Sequence, residues 1–212
     1  MTMAQFFSIH PDNPQQRLIN QAVGILRQGG ILVYPTDCSY ALGCQIGDKA
    51  AMERIREIRQ VDERHHFTLV CRDLSEIAQY AKVDNRQYRL LKNCTPGAYT
   101  FILQATKEVP RRLQHPKRAT IGIRIPGNAV VAALLEDLGE PILSTTLIMP
   151  GESEPLCDPY DIRDRLEHSV ELVMDGGCCG MEMTTVVDLT GDEPVLVRKG
   201  QGALAPLGLE ED

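Results

Sequence analysis

Near the start of the chain, the apolar residues of one stretch recur at helical spacing. Over residues 14–28 the stripe consists of Leu18, Ile19, Ala22, Val23 and Leu26. Because residues three and four apart share one face of a helix, this stripe predicts an amphipathic helix that ends at Gly29-Gly30. Similar patterns predict five further helices, at about 48–59, 74–81, 84–93 and 128–138 and from 158 onward, with Asp48, Asp84 and Asn128 as N-caps.

Short apolar runs alternate with these helices and predict strands. The runs lie at 31–34, 67–71, 99–104, 120–125, 142–147, 170–174, 184–189 and 195–198. In one of them Ile121, Ile123 and Ile125 alternate with other residues, which is typical of a strand with one buried face. Helices and strands mingle without a linker or a repeat. The pattern therefore predicts a single α/β domain over residues 1–212, with a twisted mixed sheet, a core at about 14–200 and a frayed tail at 201–212.

Composition limits the class of protein further. Hydrophobic residues make up 43% of the 212 residues and charged residues 24%, as in ordinary globular proteins. No apolar run approaches the roughly 18–20 residues of a membrane span, and the first residues lack the pattern of a signal peptide. Seven cysteines without a C-x-x-C pair argue against a zinc site or a disulfide framework. We therefore expect a soluble, cytoplasmic protein with no metal site of its own.

Charge is distributed unevenly along the chain. Residues 1–126 carry a net charge of +7 and residues 127–212 a net charge of −14. The first segment could present a basic face to phosphates, or the two segments could mix over the surface. A cluster of basic side chains consists of Arg54, Arg56, Arg59, Arg64, His65 and His66. These side chains could bind phosphate, or they could lie on a solvated helix face and pair with nearby glutamates.

The segment YPTDCSYALG at 34–43 is the strongest local candidate for chemistry. It places hydroxyls and one carboxylate directly after a buried strand, where α/β folds commonly build sites. The other interpretation is a turn in which Thr36 and Asp37 bond to their own backbone. Cys38 with His65 or His66 would be a nucleophile–base pair, but no spacing signature supports it. Neither a P-loop nor a G-x-G-x-x-G motif occurs.

Six motifs taken in order resemble one known family. They are YPTDCSYALG (34–43), PGAYTFIL (96–103), TIGIRIP (120–126), ILSTT (142–146), TTVVDL (184–189) and VRKG (197–200). The series resembles the YrdC/YciO family, which includes the L-threonylcarbamoyladenylate synthases, over residues 14 to 200. The opening HPDNPQQRLINQAV and the segment TLVCRDL at 68–74 are most similar to the YciO branch.

This resemblance implies a YrdC/RibB-like fold with a basic concave groove. Synthase members join L-threonine, bicarbonate and ATP, with Mg²⁺ accompanying the ATP, into threonylcarbamoyl-AMP and release pyrophosphate. The product serves the threonylcarbamoyl modification of adenosine in tRNA. Members of the family are also described as binding double-stranded RNA in the groove.

The resemblance also assigns roles to particular residues. Thr36 and Tyr40 would line the threonine pocket, together with Arg124 and Thr184. Arg59 would be the catalytic cation and would also contact the nucleotide. The remaining residues implied in nucleotide binding are Thr120, Ser144, Thr146 and Arg198.

Departures from the synthase pattern leave the activity open. Arg59 and Val61 stand where the synthases carry Lys-x-Arg, and Ser144-Thr145-Thr146 stands where they carry Ser-x-Asn. A missing cation would weaken stabilisation of the transition state. Three hypotheses therefore remain at this point: a nucleotidyltransferase of the synthase type with weak activity, a non-catalytic module that binds double-stranded RNA or tRNA, and another small-molecule reaction in the same pocket.

Overall fold

A ten-stranded mixed sheet runs through the computed structural model, which describes residues 3–210. Its spatial order is β1-β8-β2-β3-β7-β4-β6-β5-β9-β10. Four neighbouring pairs are parallel and the others antiparallel. In chain order the strands are β1 (Gln5–Ser8), β2 (Leu32–Pro35), β3 (Tyr40–Gln45), β4 (Thr68–Val70), β5 (Tyr99–Gln104), β6 (Thr120–Arg124), β7 (Ile142–Thr146), β8 (Leu172–Asp175), β9 (Thr185–Asp188) and β10 (Val195–Arg198).

Between residues 3 and 210, six α-helices pack against this sheet, and local capping sets several of their ends. Asp48, Asp84 and Asn128 each accept hydrogen bonds from backbone N–H groups of the first turn, as their positions predicted. Gly139 ends one helix in the left-handed conformation. The helices are α1 (Gln16–Arg27), α2 (Lys49–Arg59), α3 (Leu74–Tyr80), α4 (Asn85–Cys94), α5 (Ala129–Leu138) and α6 (Pro159–Leu166).

The two faces of the sheet are covered differently. On one face, α1 and α5 pack against β2, β3 and β8 in a cluster that contains Leu26, Leu32 and Leu134. On the other face, α2, α3, α4 and α6 close a larger cluster around Phe101 and Ile123. The part of the first face formed by β4, β5, β6, β7 and β9 carries no helix and forms the floor of an open cavity. The mixed sheet and the single α/β domain agree with the sequence prediction.

Three local features differ from what the sequence pattern predicted. β1 was not predicted, because its two apolar residues give a weak signal and its stability comes from pairing with β8. β3 was not predicted, although it lies between β2 and β7 and pairs with both. Of the segment 201–212 expected to be a frayed tail, the described residues 201–210 are packed: Leu204 and Leu207 are buried, and the Tyr99 hydroxyl donates to the Ala203 carbonyl at 2.9 Å. Residues 211–212 lie outside the described residues.

None of the helices between residues 3 and 210 combines the length and hydrophobicity that a membrane span requires. The expected location in the cytoplasm stays a prediction.

Candidate functional site

A cavity of about 570 Å³ lies on the uncovered part of the sheet. Its floor combines small and hydroxyl-bearing residues, among them Thr68, Thr100 and Gly122, with the apolar Ile102 and Val186. A Cβ on Gly122 would lie 3.3 Å from a Thr100 methyl group, so the floor is tightly packed at this point. The volume falls within the roughly 300–1,000 Å³ of typical small-ligand pockets.

Most of the residues that the sequence implied as site residues line this one cavity although they lie far apart in the chain. They are Thr36, Arg59, Thr120, Arg124, Ser144, Thr146, Thr184 and Arg198. Strands β6 and β7 carry the middle of this set, and the ends of β2 and β10 add Thr36 and Arg198. The individual roles of these residues stay predictions.

Tyr40 does not line the cavity. Side chains alternate along a strand, and its neighbours Ser39 and Ala41 face the cavity, so Tyr40 points to the opposite face and is fully buried there. Its hydroxyl donates to the Gly177 carbonyl at 2.6 Å and accepts from the Gly176 N–H at 3.2 Å. Burial raises its pKa. The expectation that Tyr40 forms part of the pocket lining is therefore corrected: it braces residues 176–177.

Arg124 is held in a buried ion pair with Asp37. The two side chains are 10% and 13% exposed, and a guanidinium nitrogen donates to the Asp37 carboxylate. The other carboxylate oxygen accepts from the Gly127 N–H at 2.7 Å. Arg124 Nε is buried without a hydrogen-bond partner. Asp37 thus orients the arginine while leaving it donor capacity.

Arg59 reaches the cavity from the last turn of α2. It donates to the Thr145 hydroxyl at 3.2 Å and to the Thr146 carbonyl, and burial lowers its pKa. Its neighbours in the cationic cluster differ: Arg54 pairs with Glu171 at 2.8 Å and Arg56 with Glu53 at 2.6 Å. Arg56 pairs with a nearby glutamate as one sequence interpretation expected, but it is buried rather than solvated. Arg54 pairs with Glu171, which is distant in the chain, and Arg59 faces the cavity.

Arg198 and Thr184 form the opposite wall. The Arg198 guanidinium donates to the Thr184 carbonyl at 3.0 Å, and burial lowers the pKa of this arginine. The Thr184 and Thr100 hydroxyls are 2.8 Å apart. A wall of this kind offers guanidinium and hydroxyl groups to the oxygens of an anionic ligand.

The turn before β3 uses its hydroxyl locally. Thr36 Oγ1 donates to the Ser39 carbonyl at 2.6 Å and accepts from the Cys38 and Ser39 N–H groups, each at 3.2 Å. The self-capped turn weighed from the sequence is therefore present for Thr36, which still lies on the cavity wall, whereas Asp37 bonds to Arg124 and Gly127 instead of the backbone of its own turn. Burial raises the pKa of the Cys38 thiol to about 12, which disfavours the hypothesis of a nucleophilic cysteine.

The cavity also contains residues to which the sequence resemblance assigned no role, including His65 and His66 of the cationic cluster. Arg118, in the basic connector at residues 111–118 before β6, donates to Asp188 at 2.5 Å and lines the wall. Burial lowers the pKa of His65 to about 4, and the rings of His66 and His115 stack with centroids 5.1 Å apart. Within residues 3–210, no aspartate or glutamate lines the cavity. Most of its arginines come from the basic first segment.

Fold and cavity together define a class: a single-domain α/β protein whose open sheet face carries an arginine- and hydroxyl-lined pocket suited to anionic ligands. The Sua5/YciO/YrdC family model, described by the words telomere recombination, matches residues 24–200. The chain therefore belongs to the Sua5/YciO/YrdC family.

Relatives and solved structures agree with this membership. The uncharacterized protein YciO of Escherichia coli K12 is 62% identical over 204 residues, which cover 96% of this chain and 99% of that protein. The crystal structure of E. coli YciO superposes with a TM-score of 0.93 at 61% identity and covers 97% of this chain and all of that one (100%).

More distant relatives include enzymes. A threonylcarbamoyl-AMP synthase of Pyrococcus abyssi is 28% identical over 185 residues, which cover 86% of this chain and 54% of that protein. The structure of P. abyssi Sua5 complexed with L-threonine superposes with a TM-score of 0.84 at 25% identity, covering 92% of this chain and 57% of that one.

Proposed function

We propose that this protein binds ATP and an amino acid of the L-threonine type in the cavity and forms a threonylcarbamoyl-AMP-like product at a low rate. One observation carries the proposal: Arg59, Arg124 and Arg198 converge with hydroxyl groups on a single pocket in a chain related to threonylcarbamoyl-AMP synthases. The proposal links the protein to the threonylcarbamoyl modification of tRNA.

The chemistry consists of two balanced steps. The amino group of threonine forms an N–C bond with bicarbonate, and water leaves, which yields a carbamate. A carbamate oxygen then attacks the α-phosphorus of ATP, the bond between the α-phosphorus and the bridging oxygen breaks, and pyrophosphate leaves. Arg59 and Arg198 neutralise the charge that develops on the leaving group, and Arg124 holds the substrate carboxylate.

Mg²⁺ fits this scheme as a companion of the nucleotide. Mg²⁺ prefers carboxylate, phosphate and water oxygens, and the cavity wall formed by the described residues has no carboxylate. The chain therefore offers arginines rather than metal ligands, and the ion would be held by ATP phosphates and water. When bound it shields the charge of the leaving pyrophosphate.

The low rate follows from the motif departures. Val61 is not among the cavity-lining residues of the described chain, so the position of the second synthase cation adds no charge to the wall. Arg59 is engaged by the Thr146 carbonyl and the Thr145 hydroxyl. Ground-state binding of ATP can survive such changes while stabilisation of the leaving group does not.

The direct test is pyrophosphate release from ATP with threonine and bicarbonate present, together with calorimetric binding of ATP. We expect measurable binding and slow turnover that omission of threonine abolishes. Arg198→Ala should weaken ATP binding at least tenfold. The matched control is Arg89→Ala, because Arg89 is exposed on α4, away from the cavity. Equal effects of the two substitutions would contradict the proposal.

A second test restores the synthase residues. The double variant Val61→Arg plus Thr146→Asn should raise kcat more than it tightens ATP binding. If instead the wild type turns over as fast as a synthase with complete motifs, the missing cation is supplied elsewhere, and the argument from the departures is wrong.

One observation favours a second candidate function, binding of double-stranded RNA or tRNA. The basic connector before β6 reaches the cavity through Leu113, His115 and Arg118, and it exposes Arg111 and Lys117 beside them. Exposed cations along a groove suit phosphates and 2′-hydroxyls with little sequence readout. Binding of duplex RNA should then weaken steeply as salt rises. RNA affinity that is insensitive to salt would contradict this second function. Tight RNA binding without ATP binding would favour it over the first.

A further inference from the structure

We propose that His65 is the proton acceptor of the cavity and that it acts through the Thr145 hydroxyl to take up the proton released from the substrate amino group. The inference rests on the proposed function and deepens it, because it assigns a group to a step that the arginines cannot perform.

The proposed first step releases one proton. Threonine enters with a protonated amino group, and its reaction with bicarbonate gives a carbamate, a water molecule and a proton. The nitrogen must lose a proton before its lone pair can form the N–C bond. A group in the cavity that accepts this proton accelerates the step, provided that the group is neutral when the substrate arrives.

The cavity wall offers few candidates for this role. Among the described residues that line it there is no carboxylate, and its arginines stay protonated. The remaining candidates are His65, His66 and His115. His115 Nδ1 already accepts from the backbone N–H groups of Lys117 and Arg118, at 3.3 and 3.2 Å. In its neutral form His115 therefore carries its proton on Nε2 and has no free lone pair.

His66 is less suited than His65. Its side chain is exposed and stacks on the His115 ring, and among the described residues it makes no hydrogen bond to the floor of the cavity. His65 instead is half-buried, and its ring packs edge-on against Phe67 with centroids 5.4 Å apart. Its Nε2 lies 2.8 Å from Thr145 Oγ1.

The hydrogen bonds around Thr145 give the contact a direction. Arg59 donates to Thr145 Oγ1 at 3.2 Å, so the hydroxyl accepts on that side and its own proton is available to His65 Nε2. The proposal takes this direction, in which the Thr145 hydroxyl donates to Nε2 and the proton of neutral His65 lies on Nδ1. A substrate ammonium group at Thr145 can pass a proton to the hydroxyl oxygen while the hydroxyl proton moves to Nε2. The imidazolium returns the proton to water when the products leave.

Burial and the charges around His65 keep its imidazole neutral until the substrates bind. Its pKa is lowered to about 4 by burial first and then by Arg59, His66 and Arg56, while Asp62 acts in the opposite direction. It is therefore neutral near pH 7 in the free protein. Bound ATP brings negative charge beside Arg59, which offsets the repulsion from that guanidinium and raises the pKa of His65 when the proton must be taken up.

The test uses His65→Gln and Thr145→Val, with His168→Gln as the matched control because His168 is exposed and pairs only with Glu167 among the contacts of the described residues. We expect both cavity variants to lower kcat of pyrophosphate release about 10²-fold, to leave ATP affinity within twofold, and to remove the acid limb from the pH profile of kcat. Thermal unfolding of each variant checks that it folds. Wild-type kcat in His65→Gln would overturn the inference.

Nitrogen NMR of the imidazole separates this inference from the proposed function. His65 should hold its proton on Nδ1 from pH 5.5 to 8, and added ATP should raise its pKa. A proton on Nε2, or titration near the ordinary histidine value, overturns the inference whether or not the enzyme turns over. Absence of both ATP binding and turnover in the wild type would instead reject the proposed function. In that case the tautomer of His65 still decides whether the Thr145 hydroxyl donates to His65 Nε2.

Discussion

Asp37→Asn removes the charge that faces Arg124 and keeps the size of the side chain. The pair is buried, with side chains 10% and 13% exposed, so the arginine would be left as an uncompensated cation. Loss of one partner of such a pair costs about 3–5 kcal/mol. Asparagine can still accept from the Gly127 N–H, as Asp37 does at 2.7 Å. We therefore expect a loss in the free energy of unfolding near the lower end, about 3 kcal/mol.

The loss is large enough to measure in two ways. For a domain of this size, each kcal/mol shifts the melting temperature by about 2–4 °C, so Tm should fall by about 6–12 °C. Urea unfolding should show a lower midpoint with an unchanged slope. The matched control is Asp164→Asn, which removes an exposed surface pair with Arg163 and should leave Tm nearly unchanged.

An anion should rescue the variant. Without the Asp37 carboxylate, the Arg124 guanidinium lacks its partner, and a bound pyrophosphate or carboxylate can take that place. Pyrophosphate should therefore raise Tm more in Asp37→Asn than in the wild type. Equal stability of Asp37→Asn and Asp164→Asn would refute the argument from the buried pair, and equal stabilisation by pyrophosphate would refute the argument that Arg124 binds anions.

Three further predictions concern other parts of the molecule. Gly200→Ala should lower the free energy of unfolding in urea by about 1–3 kcal/mol, because the new Cβ would collide with a backbone carbonyl. Gly24→Ala, which has open space around it in α1, should raise the free energy of unfolding by about 0.5–1 kcal/mol. Alkylation followed by mass spectrometry should modify exposed Cys178 long before Cys38, whose thiol pKa is raised to about 12; equal rates would contradict the burial of Cys38. The pKa of His65 falls from 6.5 in the unfolded chain to about 4 in the folded protein. Neutral His65 therefore contributes fully to the free energy of unfolding above pH 6.5, and this contribution is lost as the pH falls toward 4. Chemical unfolding of His65→Gln should lack this part of the pH dependence, and a profile identical to the wild type would contradict the prediction.

Helices and their ends follow closely from local sequence. Asp84 caps α4 with a complete capping box, and Asn128 and Gly139 bound α5 as their residue types predict. These signals act within a few residues, because a cap bonds to the turn beside it. β5 also begins and ends where its apolar run does, at Tyr99 and Gln104.

The residues of the site follow less directly from the local sequence than the helices do, as Tyr40 shows. The motif that contains it was identified correctly, but alternation along β3 decides that Ser39 and Ala41 face the cavity and that Tyr40 braces residues 176–177. β3 itself was missed, since a strand is stabilised by the partners on either side of it and those partners are distant in sequence.

Periodicity, caps and ordered motifs are local properties of the chain, so they predicted all the α-helices of the described chain, most of the strands, the α/β class and the family, but not β1 and β3. Which residues share the cavity follows from the tertiary structure: Arg59 contacts Thr145, which lies within hydrogen-bond distance of His65, Asp37 holds Arg124, and Arg118 lines the wall. These contacts depend on strand order and register, since a shift of one residue would turn each side chain to the opposite face of the sheet.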